Sequence, residues 1–172
     1  MTTRPQFTAD EWKTLTEAPV YVGSAVAAAA PSGLIGTIKE GISVVNSMLN
    51  TAKQYPDNTL IQEVAPKGVG REQIESWANM ARGLMQQSEA ERLKTMGVEA
   101  CRKVTAVLQT KGTPQESEGY KRWLLQIGQG VASAAKEESQ VPNTGGGAVS
   151  LQEAQLLREM ASMLGVPSAP AV

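Results

Sequence analysis

The sequence predicts an all-α protein, folded as a single bundle of about six or seven helices. Apolar residues recur three and four positions apart along most of the chain, which is the spacing of one helix face. No run alternates with a period of two over the length of a strand, and β-branched residues do not cluster. The 172 residues suit one domain. We expect this domain to span residues 8–165, with residues 1–7 and 166–172 as flexible tails.

Four capping boxes mark where helices begin. In a capping box, a Ser or Thr and the Glu or Gln three residues later each bind a backbone N–H that the first helical turn leaves unpaired. The four pairs are Thr8–Glu11, Ser88–Glu91, Thr113–Glu116 and Ser150–Glu153. Each pair opens an apolar pattern, so together they predict four helix starts.

The first half of the chain contains three predicted helices and the start of a fourth. The first helix follows Thr8, and Pro19 should kink or divide it because proline has no N–H to donate. After a turn at Pro31-Ser32-Gly33, an apolar stripe continues to Leu49. A short helix follows near 60–64 and closes at Pro66, and the next helix begins near Arg71.

The second half predicts three more helices. One ends at Lys111-Gly112, and another carries Trp123 on its apolar face. A polar, glycine-rich loop over 138–149 separates it from the last helix, which should end at Gly165 with Pro167 beyond. The expected core includes one or more residues of most helices: Trp12, Ile38, Trp77, Val104, Trp123, Ile127 and Leu157.

A faint internal duplication relates the two ends of the chain. The stretch from Trp12 to Ala28 ends in Val-Ala-Ala-Ala, and the stretch from Trp123 to Ala135 ends in Val-Ala-Ser-Ala-Ala. A loop containing Pro and Gly and then an apolar helix follow each stretch. Similar composition would also produce this likeness by chance.

Composition excludes several kinds of chemistry. The chain has no histidine and one cysteine, so histidine-dependent triads, zinc fingers and His-ligated haem are impossible. The net charge of −1 disfavours nucleic-acid binding. Cys101 lies in an apolar register, as a structural thiol does. We therefore predict a non-catalytic protein that needs no cofactor.

The stretch from Ala18 to Ile38 has 21 residues without a charge, nominally enough to cross a bilayer. It contains two prolines and three glycines, so a buried helix followed by a turn is favoured over a membrane span. No apolar segment typical of a secretory signal precedes it. The expected location is the cytoplasm, and membrane association is an alternative.

Carboxylates are the remaining candidate metal ligands. Glu137 and Glu138 end one helix and Glu153 opens the next, so they could converge on a divalent cation across the glycine-rich loop. The alternative is a solvated acidic surface. Similarly, the loop Pro66–Arg71 precedes a helix N-terminus and could hold an anion, although an ordinary loop is the simpler interpretation.

The C-terminal helices resemble a known family. The segment Val149-Ser-Leu-Gln-Glu-Ala-Gln-Leu-Leu-Arg-Glu-Met-Ala-Ser-Met-Leu-Gly165, preceded by Val131-Ala-Ser-Ala-Ala-Lys136, is similar to tellurite-resistance TerB-like helical proteins. Glu137-Glu138-Ser139 and a glycine-rich insertion replace the Asp-Gly of that family. The resemblance implies an all-helical, non-catalytic bacterial domain connected with stress, with a carboxylate site for a cation.

The predicted function is protein–protein interaction or scaffolding, with an unknown partner or with a second copy of the chain. Helices made of small residues allow close approach of another backbone, and the candidate contacts are Gly23, Ala27, Gly128 and Ala132. Packing of these helices on each other within one chain is the alternative. The sequence identifies neither the partner nor the physiological role.

Overall fold

A computed structural model describes residues 1–30, 38–138 and 149–168, including all their side chains except those of 38 and 136–138. These residues form seven α-helices and no strand, which confirms the all-α prediction. The helices are α1 (Ala9–Ala29), α2 (Ile38–Ala52), α3 (Thr59–Val64), α4 (Arg71–Gln87), α5 (Ala90–Lys111), α6 (Pro114–Glu138) and α7 (Leu151–Leu164). A single 3-10 turn, Arg4–Gln6, precedes α1.

Helix α1 is the centre of the bundle and contacts α2, α4, α5, α6 and α7. Its second half is buried almost all round, which explains why its residues there are alanine, valine, glycine and serine rather than an amphipathic mixture. Helix α5 lies along it, α2 and α6 cover a second side, and α7 packs against α5. The short α3 rests on α6.

Pro19 lies inside α1 and does not divide it, so of the predicted kink or division the second does not occur. The helix runs unbroken from Ala9 to Ala29 with Pro19 inside it. A proline leaves the carbonyl four residues earlier without its helical donor, and here that carbonyl belongs to Leu15. The buried hydroxyl of Tyr120, on α6, donates a hydrogen bond to the Leu15 carbonyl. Tertiary packing therefore supplies the bond that the helix itself lacks.

Two of the predicted capping boxes are complete and one is absent. Thr8 with Glu11 and Ser150 with Glu153 form both hydrogen bonds of the motif. The predicted Ser88–Glu91 box is wrong, because Glu89 is the N-cap of α5 and Ser88 ends α4. Glu91 instead pairs with Lys94.

In the fourth predicted box, Thr113–Glu116, a residue near the N-terminus of the chain, Thr2, forms additional hydrogen bonds. The Thr113 hydroxyl donates to Glu116 Oε2 (2.6 Å), whereas the Thr113 backbone N–H donates to the hydroxyl of Thr2 (3.2 Å). The Thr2 hydroxyl in turn donates to Glu116 Oε2 (2.7 Å). Thr2 is fully buried, so part of the segment 1–7 lies against the bundle.

The last helix ends as predicted. Gly165 has a left-handed φ of 67°, a conformation that costs glycine nothing because it has no Cβ. The N–H of Val166 then donates to the carbonyl of Ala161 (3.1 Å), which closes the end of α7.

Most of the expected core residues are buried. Trp77, Val104, Trp123, Ile127 and Leu157 all belong to the core. The prediction is wrong for Trp12, which is only half-buried because it lies in the first turn of α1, at the end of the bundle. The side chain of Ile38 lies outside the described residues.

Glycines allow close helix contacts at two places in the bundle. A Cβ on Gly23 would lie 2.6 Å from Val44 of α2, and a Cβ on Gly128 would lie 2.8 Å from Leu157 of α7. Glycine at both points lets the helices approach closely.

Among the described residues, no helix has the length and apolar character needed to cross a membrane. The uncharged stretch of the sequence begins within α1, where it is buried. The predicted turn at Pro31-Ser32-Gly33 lies outside the described residues.

Candidate functional site

The small residues predicted to bind a partner lie largely inside the bundle. Gly23 and Gly128 occupy the helix contacts described above, and Ala132 is also buried. Ala27 alone of the four is half-buried. Packing within one chain, the alternative for these helices, accounts for the three buried residues.

Of the candidate metal ligands, the structure describes only the side chain of Glu153. Its Oε2 accepts hydrogen bonds from the backbone N–H (2.9 Å) and the hydroxyl (2.6 Å) of Ser150, so it caps α7. Its Oε1 is buried and has no hydrogen-bond partner within the described part of the chain. The side chains of Glu137 and Glu138 lie outside that part. No group of three Asp, Glu, Cys or His side chains is placed to hold a metal in the residues described.

Cys101 occupies the structural position that its apolar register predicts. Its side chain is fully buried, and this burial raises the pKa of the thiol to about 12. A thiol with this pKa is almost entirely protonated at neutral pH.

An open cleft of about 830 Å³ lies between the first half of α1 and the first half of α4. Trp77, which is 7% exposed, forms part of its floor, and the half-buried Trp12 lines it from α1. Val64, Val69 and Met80 add aliphatic and thioether surface. Two of the three tryptophans of the chain therefore line one concave surface, which we call the tryptophan cleft.

The segment before α1 forms one rim of the tryptophan cleft. The guanidinium carbon of Arg4 lies 5.9 Å from the centroid of the Trp12 ring, in the range of a cation–π contact. The Phe7 ring lies 6.0 Å from the same ring and is tilted by 37° to it. Phe7 and Arg4 thus hold Trp12 in place although its side chain remains partly accessible.

The loop between α3 and α4 also lines the tryptophan cleft. Its turn is closed by a hydrogen bond from the Val69 N–H to the Pro66 carbonyl (3.3 Å), with Gly68 in a left-handed conformation (φ 76°). Lys67 and Gly68 are exposed on this loop. Gly70 is the N-cap of α4 and brings no side chain to bind the first turn.

The charges of the tryptophan cleft are unequally engaged. Glu63 Oε2 accepts a hydrogen bond from the backbone N–H of Arg4 (2.7 Å), and Glu17 lies 3.9 Å from Lys13 on its own helix. The side chains of Arg4 and Lys67 form no ion pair with any other described residue. The lining thus carries two cations, Arg4 and Lys67, and two carboxylates, Glu17 and Glu63, so its formal charge is balanced.

The hydroxyl groups of the tryptophan cleft are Thr16 and Ser76. The Thr16 hydroxyl donates to the carbonyls of Trp12 and Lys13, one turn earlier in α1. Ser76 is exposed. The cleft thus presents aromatic and apolar surface together with charged side chains of both signs, which are groups that bind a ligand.

A second concave surface, of about 860 Å³, lies between the α2–α3 loop and the start of α6. Several of its polar side chains have partners in the fold. Asn58 caps α3 and donates to the Glu116 carbonyl (3.1 Å), and Arg122 pairs with Glu118. Burial raises the pKa of Tyr55, which lines the same surface. We regard the tryptophan cleft as the better candidate because two tryptophans from different helices line it.

Comparison of the chain with family models, with curated proteins and with solved structures finds no match in any of the three. The fold and the site place the protein in a structural class: an all-α bundle with a cleft, lined by two tryptophans, at one end. The TerB-like resemblance stays an interpretation of the C-terminal helices.

Sequence reasoning places Trp12 in the core and thereby misses the cleft. The apolar spacing puts Trp12 in register with Leu15, and spacing alone does not show where a bundle ends. The available signal is the position of Trp12 in the first turn after Thr8, where fewer neighbouring helices can cover a large side chain.

Proposed function

We propose that this protein is a non-catalytic protein-interaction domain and that its partner binds in the tryptophan cleft. The observation that carries the proposal is the convergence of Trp12, Trp77, Arg4 and Met80 on one open surface. Aromatic residues, methionine and arginine are the types enriched where proteins bind one another, and tryptophan and arginine dominate binding energies.

The geometry supports a partner that inserts a side chain. A cleft of about 830 Å³ lies within the usual size range of ligand sites, which is about 300–1,000 Å³. Trp12 and Trp77 come from two different helices and are fixed by packing, so little conformational freedom is lost when a partner binds. Among the described residues, the large apolar side chains with high exposure lie outside the cleft: Met1, Ile42, Leu151 and Met163.

Differential capture tests the proposal. The wild-type protein, Trp12→Ala and Ile42→Ala are immobilised and exposed to extract of the source cell. Ile42 is 46% exposed on α2, so Ile42→Ala removes apolar surface away from the cleft. The protein captured by the wild type is then purified, and its affinity for all three forms is measured by calorimetry.

We expect Trp12→Ala to weaken binding at least about tenfold and Ile42→Ala to change it less than about twofold. Met80→Glu, which places a charge in the cleft without removing the tryptophan, should weaken it similarly. Circular dichroism establishes that each variant is folded. A partner bound equally by all forms, or no protein captured above background, contradicts the proposal.

Self-association is the form of the proposal in which the partner is a second copy. Light scattering on the purified protein measures its mass directly. A dimer that dissociates in Trp12→Ala but not in Ile42→Ala places the second copy in the cleft. A monomer over the accessible concentration range excludes self-association and leaves a different protein as partner.

A further inference from the structure

We propose that residues 1–7 form a strap that is latched at Glu116 and covers Trp12, and that release of this latch opens the tryptophan cleft without unfolding the helices. The proposal concerns the conformation of the chain itself, so it goes beyond the proposed function and does not require a partner. It follows from the few contacts that hold this segment and from the side chain that it covers.

The latch joins the strap to the start of α6. The backbone N–H of Thr2 donates to Glu116 Oε1 (3.1 Å), and the Thr2 hydroxyl donates to Glu116 Oε2 (2.7 Å). The same hydroxyl accepts a hydrogen bond from the backbone N–H of Thr113 (3.2 Å). Thr2 is fully buried and Glu116 is 8% exposed, so these three hydrogen bonds are shielded from water.

Outside the latch, the strap is attached lightly. Of its seven residues, only Thr2 and Phe7 are buried. The backbone N–H of Arg4 donates to Glu63 Oε2 (2.7 Å), and this bond is exposed. A segment with so little buried surface is of the kind that opens locally, at a free energy below that of global unfolding.

The strap covers Trp12, the more exposed of the two cleft tryptophans. The guanidinium carbon of Arg4 lies 5.9 Å from the centroid of the Trp12 ring, and the Phe7 ring lies 6.0 Å from it. Arg4 also lines the cleft. When the strap opens, both side chains leave the Trp12 ring, and the ring becomes accessible to a ligand from that side.

The latch and the covered tryptophan lie on different concave surfaces. Thr113 and Glu116 line the second concave surface, between the α2–α3 loop and the start of α6, whereas Arg4 and Trp12 line the tryptophan cleft. The strap connects the two surfaces. Coupling between distant sites requires an element with two states that both sites can bias, and the strap is such an element.

Amide hydrogen exchange tests whether the strap opens separately from the bundle. Exchange of the Arg4, Gln6 and Phe7 amides is measured by NMR in the wild type, Thr2→Val and Thr113→Val. Thr113→Val is the matched control, because it removes the other hydroxyl that donates to Glu116 Oε2 (2.6 Å) but leaves the bonds of Thr2 in place.

We expect the strap amides to exchange at a rate that low concentrations of denaturant do not change, whereas exchange of the α5 and α6 core amides accelerates. Thr2→Val should accelerate the strap amides by at least about tenfold and Thr113→Val by less than about threefold, because only Thr2 changes partners when the strap opens. Strap amides that follow the core amides in denaturant, or that accelerate equally in both variants, would overturn the proposal.

Fluorescence quenching tests what the strap covers. Thr2→Glu places a second carboxylate against Glu116 in a buried position, so repulsion and burial should both displace the strap. Thr3→Glu makes the same change of charge at the neighbouring position, which is half-buried, and is the control. Acrylamide quenching is measured in both variants with and without Trp12→Phe, which isolates the emission of Trp12.

We expect the quenching constant of Trp12 to rise by at least about twofold in Thr2→Glu and to stay near the wild-type value in Thr3→Glu, with helical circular dichroism retained in both. Equal quenching in the two variants would show that the strap does not cover Trp12. Loss of helicity in Thr2→Glu would show that the strap cannot open without the bundle. Either result would overturn the proposal and leave the proposed function in place.

Discussion

The Tyr120 hydroxyl donates to the Leu15 carbonyl, the group that Pro19 leaves without a helical donor. The two residues are 105 positions apart, and the bond is buried. Burial also raises the pKa of Tyr120 well above its usual value, because the phenolate would be desolvated. Tyr120 is therefore protonated at neutral pH and can donate this hydrogen bond.

Tyr120→Phe should destabilise the protein by about 1–3 kcal/mol, because it leaves the buried Leu15 carbonyl unpaired. Pro19→Ala restores a backbone N–H four residues after Leu15, so Tyr120→Phe should cost less in that background. Denaturant unfolding of the four proteins of this double-mutant cycle gives the coupling, which we expect to be at least about 0.5 kcal/mol. Tyr21→Phe on α1 is the control. Equal costs of Tyr120→Phe in both backgrounds would show that the bond does not compensate for Pro19.

Glu116 predicts a specific dependence of stability on acid. Burial alone would raise its pKa, but hydrogen bonds from Thr113 and Thr2 outweigh burial and lower the pKa to about 2. Because the pKa in the unfolded chain is about 4.3, ionised Glu116 stabilises the fold above about pH 5. This contribution, up to about 3 kcal/mol, is lost as the pH falls from about 5 to 2.

The measurement is the free energy of unfolding of the wild type and Glu116→Gln between pH 2 and 7. The advantage of the wild type should be constant above about pH 5 and should shrink below it. Glu118→Gln, which removes an exposed carboxylate two positions later, should follow the wild type closely. A difference between wild type and Glu116→Gln that does not vary with pH would contradict the prediction.

Cys101 should be unreactive in the folded protein. Its thiol is buried, so a reagent in solution cannot reach it. Burial also raises the pKa of the thiol to about 12, so very little of the reactive thiolate is present. At pH 8 a disulfide reagent should modify less than about a tenth of the protein in an hour, and all of it in denaturant. The rate at intermediate denaturant should follow the unfolded fraction. Rapid stoichiometric reaction without denaturant would show that α5 opens locally.

Two glycines should respond to alanine in opposite directions. Alanine normally stabilises a helix relative to glycine by about 1 kcal/mol. Gly83 of α4 has open space where a Cβ would lie, so Gly83→Ala should raise stability by up to that amount. Gly23→Ala would bring a Cβ within 2.6 Å of Val44, and we expect a loss of about 1–3 kcal/mol. Thermal unfolding of both variants decides the matter, and a stabilising Gly23→Ala would mean that α2 can shift away.

The elements predicted from local signals agree well with the structure. Helix spacing, the caps at Thr8 and Ser150 and the stop at Gly165 depend on residues within one or two turns, so sequence alone reveals them. The Ser88–Glu91 box failed although Ser is the better N-cap residue, because α5 begins one position later, after Glu89, whose side chain forms no capping hydrogen bond.

The features that the sequence did not predict depend on contacts between distant residues. Nothing near Pro19 indicates that Tyr120 will complete the helix, and nothing near Thr113 indicates that Thr2 will reach it. The tryptophan cleft has the same origin. It combines Arg4, Trp12 and Trp77 from three separate segments, and their meeting is a property of the packed bundle.

The central place of α1 has a consequence for biosynthesis. This helix is synthesised before α5, α6 and α7, which cover much of it and follow later in the chain. About 80 residues separate the end of α1 from the end of α5. At a synthesis rate of about 5–20 residues per second, the synthesis of α5 is complete roughly 4–16 seconds after that of α1. During that time its alanine- and valine-rich second half is exposed to other nascent chains. Synthesis of this protein should therefore depend on chaperones that hold apolar segments, and slower translation should lower the yield of folded protein.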